Sequence, residues 1–148
     1  MEFLCEFPMF GVNLAVDVAA TKYGNHLIQC LFKKQIPRHH AAMMRKWIYP
    51  FSLRLSGDVF GCRVIQRIIN SSAVHRGHKV DLVKSLREQI ARNERGRRSL
   101  KDLLISMNGN HVIQAVLRMA LPAESVDFIK EQLERDLGPF SLSFSLSI

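Results

Sequence analysis

Three short segments of this chain combine side chains that form hydrogen bonds with side chains that can stack. In each segment a glycine precedes a small polar residue, a ring or guanidinium, two aliphatic residues and a glutamine. The residues of interest are Asn25, His26 and Gln29, then Cys62, Arg63 and Gln66, then Asn110, His111 and Gln114. Amides both donate and accept hydrogen bonds, and imidazole and guanidinium planes can stack on nucleobases. This is the chemistry of recognition rather than of bond-making.

A helical conformation would place the polar residues of each segment on one face. Because each residue advances a helix by about 100°, positions i and i+4 share a face and i+1 lies beside them. The opposite face is apolar and is predicted to be buried. It consists of Leu27, Ile28, Leu31 and Phe32, then Val64, Ile65, Ile68 and Ile69, then Val112, Ile113, Val116 and Leu117. Core packing explains this apolar pattern, but it does not explain a glutamine at the same polar position three times.

Two further amphipathic stretches flank each segment. The shorter stretch precedes it, at residues 14–21, 51–56 and 100–107. The longer stretch follows it, at residues 38–47, 78–91 and 125–137, with Ser125 as a predicted N-cap after Pro122. Three helices per unit, repeated along the chain, predict an all-α solenoid.

The repeats are unevenly spaced. The small polar positions Asn25, Cys62 and Asn110 are 37 and 48 residues apart, and the surplus falls in a basic run at 92–99, which is predicted to be a loop. The repeat array is expected to cover residues 1–138, with repeats at about 12–49, 50–92 and 99–137. The remaining residues, 139–148, are predicted to form a disordered tail.

Positive charge is concentrated in the body of the chain. The formal net charge is +8, yet residues 22–101 alone hold 18 Lys and Arg against 4 Asp and Glu. Such a balance favours polyanionic partners, with nucleic acid ahead of an anionic membrane surface. Residues 92–101 are interpreted either as a solvated loop or as a phosphate-binding one, with a nuclear-import signal as the weaker alternative. No segment is apolar enough to predict a membrane-spanning helix, and the acidic start does not fit a signal peptide.

Cysteines and histidines do not form a recognisable site. The three cysteines include no CxxC pair, which favours a reducing compartment over a disulfide framework. Cys62, His75 and His78 lack zinc-finger spacing, so neither a metal nor a cofactor is expected. An enzyme is not expected either, because no catalytic constellation is present. The one alternative is a Cys62 thiolate activated by Arg63.

The three segments resemble the repeats of the PUF (Pumilio-type) RNA-binding family. The resemblance is strongest at Gly-Asn-His-Leu-Ile-Gln, Gly-Cys-Arg-Val-Ile-Gln and Gly-Asn-His-Val-Ile-Gln, and it covers roughly residues 12–137. It implies a right-handed α-solenoid of three-helix repeats whose middle helices line a concave RNA-binding surface. It also implies that the first and fifth motif residues contact a base edge while the second stacks between bases. The implied edge contacts are Asn25 with Gln29, Cys62 with Gln66 and Asn110 with Gln114, and the implied stacking residues are His26, Arg63 and His111.

The same resemblance implies the sequence U-A-U, bound antiparallel to the repeats. The chemistry is compatible with this code, since an Asn–Gln pair can satisfy the acceptor, donor and acceptor edge of uracil. At an adenine, Gln66 can take the polar pair while Cys62 lies against the C–H. The implied target is mRNA, often in 3′ untranslated regions, with repressor or deadenylase proteins as partners. The expected location is the cytoplasm, with the nucleus or nucleolus as alternatives.

The number of repeats leaves two other interpretations open. The family usually stacks more than three repeats, and three base contacts would bind RNA weakly. The chain is therefore interpreted alternatively as a protein-interaction solenoid, or as an incomplete fragment without specific RNA recognition. The oligomeric state is not predicted.

Overall fold

A computed structural model describes residues 11–32, 38–93 and 100–119 of the chain, and every regular element within these ranges is a helix. The first repeat contains α1 (Gly11–Ala19), α2 (Gly24–Cys30) and α3 (Arg38–Trp47). None of the described helices combines the length and the apolar character that a membrane crossing requires.

The second and third repeats follow the same order. A 3₁₀ turn (Tyr49–Phe51) leads into α4 (Ser52–Gly57), which is followed by α5 (Gly61–Asn70) and α6 (Arg76–Arg92). The third repeat contributes α7 (Leu100–Ile105) and α8 (Met107–Arg118). Its predicted last helix at 125–137, the basic run near 94–99 and the predicted tail at 139–148 lie outside the described residues.

The helices stack in the order that an α-solenoid requires. The three motif helices form one layer, in which α5 packs between α2 and α8. The outer helices α3 and α6 pack against each other, while α1 and α4 contact both the inner and the outer helix of their own repeat. Each repeat therefore contacts its sequence neighbours, and the predicted all-α fold of repeated helical units is confirmed.

One continuous hydrophobic core runs through the stack. It takes fully buried side chains from every layer, among them Val16 of α1, Ile65 of α5 and Leu82 of α6. The predicted apolar faces of α5 and α8 are buried except at Leu117, which is exposed. Core packing therefore fixes which side of each inner helix remains available for a ligand.

The prediction is wrong for Leu27, which is 57% exposed. The equivalent Val64 and Val112 are fully buried. The difference follows from position in the stack, because α5 and α8 each have an earlier inner helix packed against them. Among the described residues, α2 has no such neighbour.

Helix boundaries differ from the predicted ones where a side chain caps the helix. The α6 helix begins two residues earlier than expected because His75 Nδ1 accepts a hydrogen bond from Gly77 N at 3.2 Å. The stretch predicted at 100–107 ends at Ile105, because Ser106 takes up extended backbone and caps α8 instead. The predicted span of α3, residues 38–47, is confirmed.

Gln89 joins the outer helix of the second repeat to the start of α4. Its Nε2 donates to Tyr49 O at 2.8 Å and to Ser52 Oγ at 2.9 Å, and Leu53 N donates to its Oε1 at 3.1 Å. These bonds satisfy free backbone groups at the entrance of α4. They hold α4 in place beneath α5, which carries the central motif.

A glycine opens the motif of every repeat because the inner helix starts against the backbone of the short helix before it. A Cβ on Gly109 would lie 2.6 Å from Leu103 O and 2.7 Å from Leu103 Cα. A Cβ on Gly61 would lie 2.9 Å from Leu55 O, and one on Gly24 would clash with Val18 O. The glycine thus sets the distance between the two helices.

Replacing this glycine should destabilise the fold without touching the polar face. We expect Gly109→Ala to lower the free energy of unfolding by about 1–3 kcal/mol, because backbone atoms must move to admit the methyl group. Gly77→Ala is the matched control, since its Cβ would approach no atom more closely than 3.4 Å. Because alanine favours helices, the control should match the wild type or exceed it by up to about 1 kcal/mol. Equal losses for both variants in thermal or urea denaturation would contradict the close-approach explanation.

Candidate nucleic-acid interface

The residue three positions before each motif glycine caps the inner helix. In all three repeats its side-chain oxygen accepts a hydrogen bond from the glycine N–H. The bonds are Gly24 N to Thr21 Oγ1 at 3.0 Å, Gly61 N to Asp58 Oδ1 at 2.7 Å and Gly109 N to Ser106 Oγ at 2.8 Å. The cap and the glycine together fix how each inner helix is rotated about its axis, and hence which motif residues face outward.

Four of the six motif residues of the first two repeats meet in a groove between α2 and α5. The groove has a volume of about 310 Å³ and carries donors, acceptors and planar groups from both helices. Its lining consists of His26, Gln29, Arg63, Gln66, Arg67 and Asn70. Among the described residues no acidic side chain lines it, so the guanidinium groups of Arg63 and Arg67 give it a positive potential that suits a polyanion.

The first and fifth motif residues bond to each other in the first and third repeats. Gln29 Nε2 donates to Asn25 Oδ1 at 2.9 Å, and Gln114 Nε2 donates to Asn110 Oδ1 at 2.8 Å. In the second repeat Cys62 and Gln66 occupy the equivalent positions, and the side chain of Cys62 bonds Val59 O. The pairs to which the family resemblance assigned base edges are therefore physically coupled in the first and third repeats, and Gln29 and Gln114 are held in place before any ligand arrives.

Asn25 is fully buried, with its polar groups bonded within the protein. Its Nδ2 donates to Thr21 O at 2.7 Å and to Lys22 O at 2.8 Å, while its Oδ1 accepts from Gln29. The sequence pattern had placed Asn25 on the outer polar face. The burial arises because the residue after the glycine lies in the turn where α2 meets α1. The surface that this pair presents belongs to Gln29, and a base contact by Asn25 itself stays a prediction.

Cys62 is likewise buried, and its Sγ donates to Val59 O at 3.5 Å. Burial raises the pKa of this thiol above its usual value, although the neighbouring Arg63 acts in the opposite direction. A raised pKa keeps the sulfur protonated at neutral pH, and a protonated thiol is a poor nucleophile. This geometry gives no support to the thiolate alternative. Its predicted contact with adenine stays a prediction.

The motif of the third repeat lies on α8, outside the groove between α2 and α5. His111 is exposed, while Asn110 and Gln114 are half-buried. Gln114 Oε1 accepts a further hydrogen bond from Arg118 Nη2 at 3.1 Å. Because α8 packs directly against α5, this set extends the same helix layer by one repeat. All nine predicted residues are thus on the inner helices, and seven of them are exposed or half-buried, while Asn25 and Cys62 are buried.

The three repeats of this chain match a known family of proteins. The Pumilio-family RNA binding repeat matches the chain at residues 15–43, 53–76 and 102–131, which together exceed half of its length. The chain belongs to the Pumilio family. Each matched segment contains one of the three motifs, so the predicted family and its three repeats are confirmed. No curated protein sequence matches the chain.

Solved Pumilio-type domains share the fold. The RNA-binding domain of yeast Puf5p bound to SMX2 RNA aligns with 88% of this chain at 23% identity and a TM-score of 0.68. The same domain bound to AAT2 RNA covers 82% of the chain at 25% identity and a TM-score of 0.64. The Puf4 RNA binding domain bound to the HO endonuclease RNA 3′ UTR recognition sequence covers 86% at 24% identity and a TM-score of 0.63. This chain spans 33%, 31% and 35% of those chains, respectively.

Three polar residues of the Pumilio helices escaped the sequence analysis. Arg67 and Asn70 line the groove, and Arg118 bonds the glutamine of the third motif. Their spacing in the sequence does indicate a place on the polar face, because each lies four residues after a motif position and so continues the same helical face. The capping residues carry a signal too, since Thr, Asp or Ser stands three positions before every motif glycine.

The two asparagines of the Pumilio motifs should differ in their effect on stability. We expect Asn25→Ala to lower the free energy of unfolding by about 1–3 kcal/mol, because it removes three hydrogen bonds from a buried site. Asn110→Ala is the matched control and should cost less than about 1 kcal/mol, since Asn110 is half-buried and makes one such bond. Chemical denaturation of both variants measures the difference. Equal losses would mean that burial of Asn25 contributes nothing to the fold.

Proposed function

We propose that this chain binds single-stranded RNA through its inner helices, with one base facing each repeat. The observation that carries the proposal is the groove in which His26 and Gln29 of one repeat face Arg63 and Gln66 of the next. Stacking groups and amides from successive repeats suit successive bases of an unpaired strand. Membership of the Pumilio family and the concentration of positive charge support the same conclusion.

The family code assigns the sequence U-A-U to the three motifs. Antiparallel binding places the 3′ uracil against the first repeat, the adenine against the second and the 5′ uracil against the third. The target proposed by family is mRNA in 3′ untranslated regions, bound in the cytoplasm, with repressor or deadenylase proteins acting on it. The relatives of known structure support an RNA ligand, since the Puf5p and Puf4 domains are bound to RNA. Because this chain spans about a third of those domains, its affinity should be lower than that of a longer array.

Fluorescence anisotropy with short RNAs tests the proposal directly. The protein should bind a strand with a central UAU more tightly than one with UGU, and more tightly than a duplex of the same length. The protein should prefer adenine to guanine at the central position by about tenfold, which is the discrimination expected from one well-placed pair of hydrogen bonds. Equal, salt-sensitive binding to all three would indicate a basic surface without base recognition.

Two substitutions in the second repeat should change its base specificity. We predict that Cys62→Ser combined with Gln66→Glu shifts the central preference from adenine to guanine, because a carboxylate accepts from both N1–H and N2–H of guanine. Binding to UAU and UGU should exchange order, each by roughly tenfold. The uracil preferences on either side serve as the internal control. An unchanged order would mean that this repeat does not contact the central base.

The planar residues should contribute affinity without selectivity. His26→Ala, Arg63→Ala and His111→Ala are each expected to weaken RNA binding by about 1–3 kcal/mol, because stacking favours every base. Lys84→Ala, which removes an exposed charge from the outer helix α6, is the control and should have a smaller effect. The measurement is the dissociation constant for UAU and UGU with each variant. A variant that reverses the order of the two RNAs would show that its residue recognises base edges.

A protein-interaction surface is the second candidate, and one observation favours it. Large apolar side chains are exposed at the N-terminal ends of the three inner helices: Tyr23 at 78%, Val59 at 55% and Met107 at 84%. Salt separates the two functions, since polyanion binding weakens steeply with added salt whereas an apolar interface does not. A salt concentration of about 0.5 M is high enough to disrupt phosphate contacts. A partner protein that stays bound at this concentration would favour the scaffold.

A further inference from the structure

The first and third repeats carry the same Asn–Gln pair in different surroundings. In the first repeat the pair is anchored at its asparagine, because Asn25 bonds two backbone carbonyls. In the third it is anchored at its glutamine, because Gln114 bonds Arg118. The backbone carbonyls can only accept hydrogen bonds, and the guanidinium can only donate them. Each anchor therefore fixes which atoms of its pair donate and which accept.

In the first repeat the backbone carbonyls fix the orientation of both amide groups. Carbonyl oxygens only accept, so the group of Asn25 that faces Thr21 O and Lys22 O must be its Nδ2. Its Oδ1 then faces Gln29 and accepts from Nε2 at 2.9 Å. The Oε1 of Gln29 is left at the outer end of the pair beside the second hydrogen of Nε2, and within the described residues this oxygen has no hydrogen-bond partner. The groove wall therefore offers a fixed acceptor at this position.

In the third repeat the orientation of the two amide groups is set from the opposite end. A guanidinium only donates, so the group of Gln114 that faces Arg118 Nη2 must be its Oε1. Its Nε2 then donates to Asn110 Oδ1 at 2.8 Å. The Nδ2 of Asn110 has no partner in the part of the chain that the structure describes, and Asn110 is half-buried rather than enclosed. The free groups of Asn110 are donors, while Arg118 engages one of the two lone pairs of Gln114 Oε1 and turns this oxygen towards the guanidinium.

We propose that the two identical pairs differ in specificity: Gln29 presents an acceptor to its base, whereas Arg118 engages the acceptor of Gln114 and leaves donors from Asn110. Asn25 is then a positioning residue that orients Gln29, and Arg118 is a specificity determinant of the third repeat. This proposal rests on the proposed function, since it concerns how the same bases are recognised.

The two pyrimidines distinguish an acceptor from a donor. Uracil carries a donor at N3 between two acceptors, whereas N3 of cytosine is itself an acceptor beside O2. A fixed acceptor in the first repeat bonds N3–H of uracil and opposes the lone pair of cytosine. Donors in the third repeat can bond two acceptors of either base. The first repeat should therefore reject cytosine, and the third should tolerate it.

Anisotropy titrations with UAU, UAC and CAU in one flanking sequence test this for the full chain. For the wild type, UAC should bind about tenfold more weakly than UAU, and CAU less than about threefold more weakly. Arg118→Met frees Gln114 Oε1 while keeping most of the side-chain stem. It should raise the UAU to CAU ratio to about tenfold and leave the UAU to UAC ratio unchanged. Lys101→Met is the matched control, because it removes an exposed charge from α7 of the same repeat and should alter neither ratio.

The outcomes separate this proposal from the proposed function. Equal rejection of cytosine at both positions, or an unchanged CAU ratio in Arg118→Met, would overturn the difference between the pairs while the UAU preference stands. A wild type that binds these RNAs, UGU and duplex equally would overturn both. If Arg118→Met binds every RNA more weakly but keeps all ratios between the RNAs, Arg118 contacts phosphate only. That result would also overturn the proposal.

Discussion

The close approach between each inner helix and the short helix before it governs the rest of this structure. In every repeat the motif glycine lies against the backbone of the residue six positions earlier, where a Cβ would not fit. The contacts are Gly24 with Val18, Gly61 with Leu55 and Gly109 with Leu103. Because the helix start is pressed into this corner, the next residue is enclosed or partly enclosed, and the one after it is fully on the surface. The packing of two backbones thus decides which side chains can meet a ligand.

In the proposed mode of RNA binding, affinity and selectivity come from different depths of the same surface. Exposed planar groups such as His26 and Arg63 can stack on any base, so they contribute binding energy with little discrimination. The amides beneath them are held by internal hydrogen bonds and can serve a base only in a fixed orientation. An immobilised amide rejects a mismatched edge because one of its groups would be left unpaired. In that mode, burial of Asn25 should strengthen selectivity even though the side chain itself presents no surface.

Periodicity predicted the helices well but predicted exposure less well. The spacing of aliphatic residues was enough to place the three repeats and their inner helices, since a buried stripe on a helix follows from its geometry alone. Exposure depends also on where neighbouring helices lie, and Leu27 and Asn25 show the failure in both directions: one is exposed and the other enclosed. Arg118 was missed for a related reason. Its importance arises from a bond to a motif residue, whereas the motif itself ends at Gln114.

The middle repeat has a special place in so short a stack. Each repeat of a solenoid gains stability from its neighbours, so a repeat with two neighbours is held more firmly than one with a single neighbour. The α5 helix packs against both α2 and α8, and Val64, Ile65 and Ile68 on it are fully buried. Its contact residues are consequently the best preorganised, and preorganisation lowers the entropic cost of binding. In the proposed mode of RNA binding, discrimination at the central base should therefore depend less on contacts outside the described helices than discrimination at the two outer motifs does.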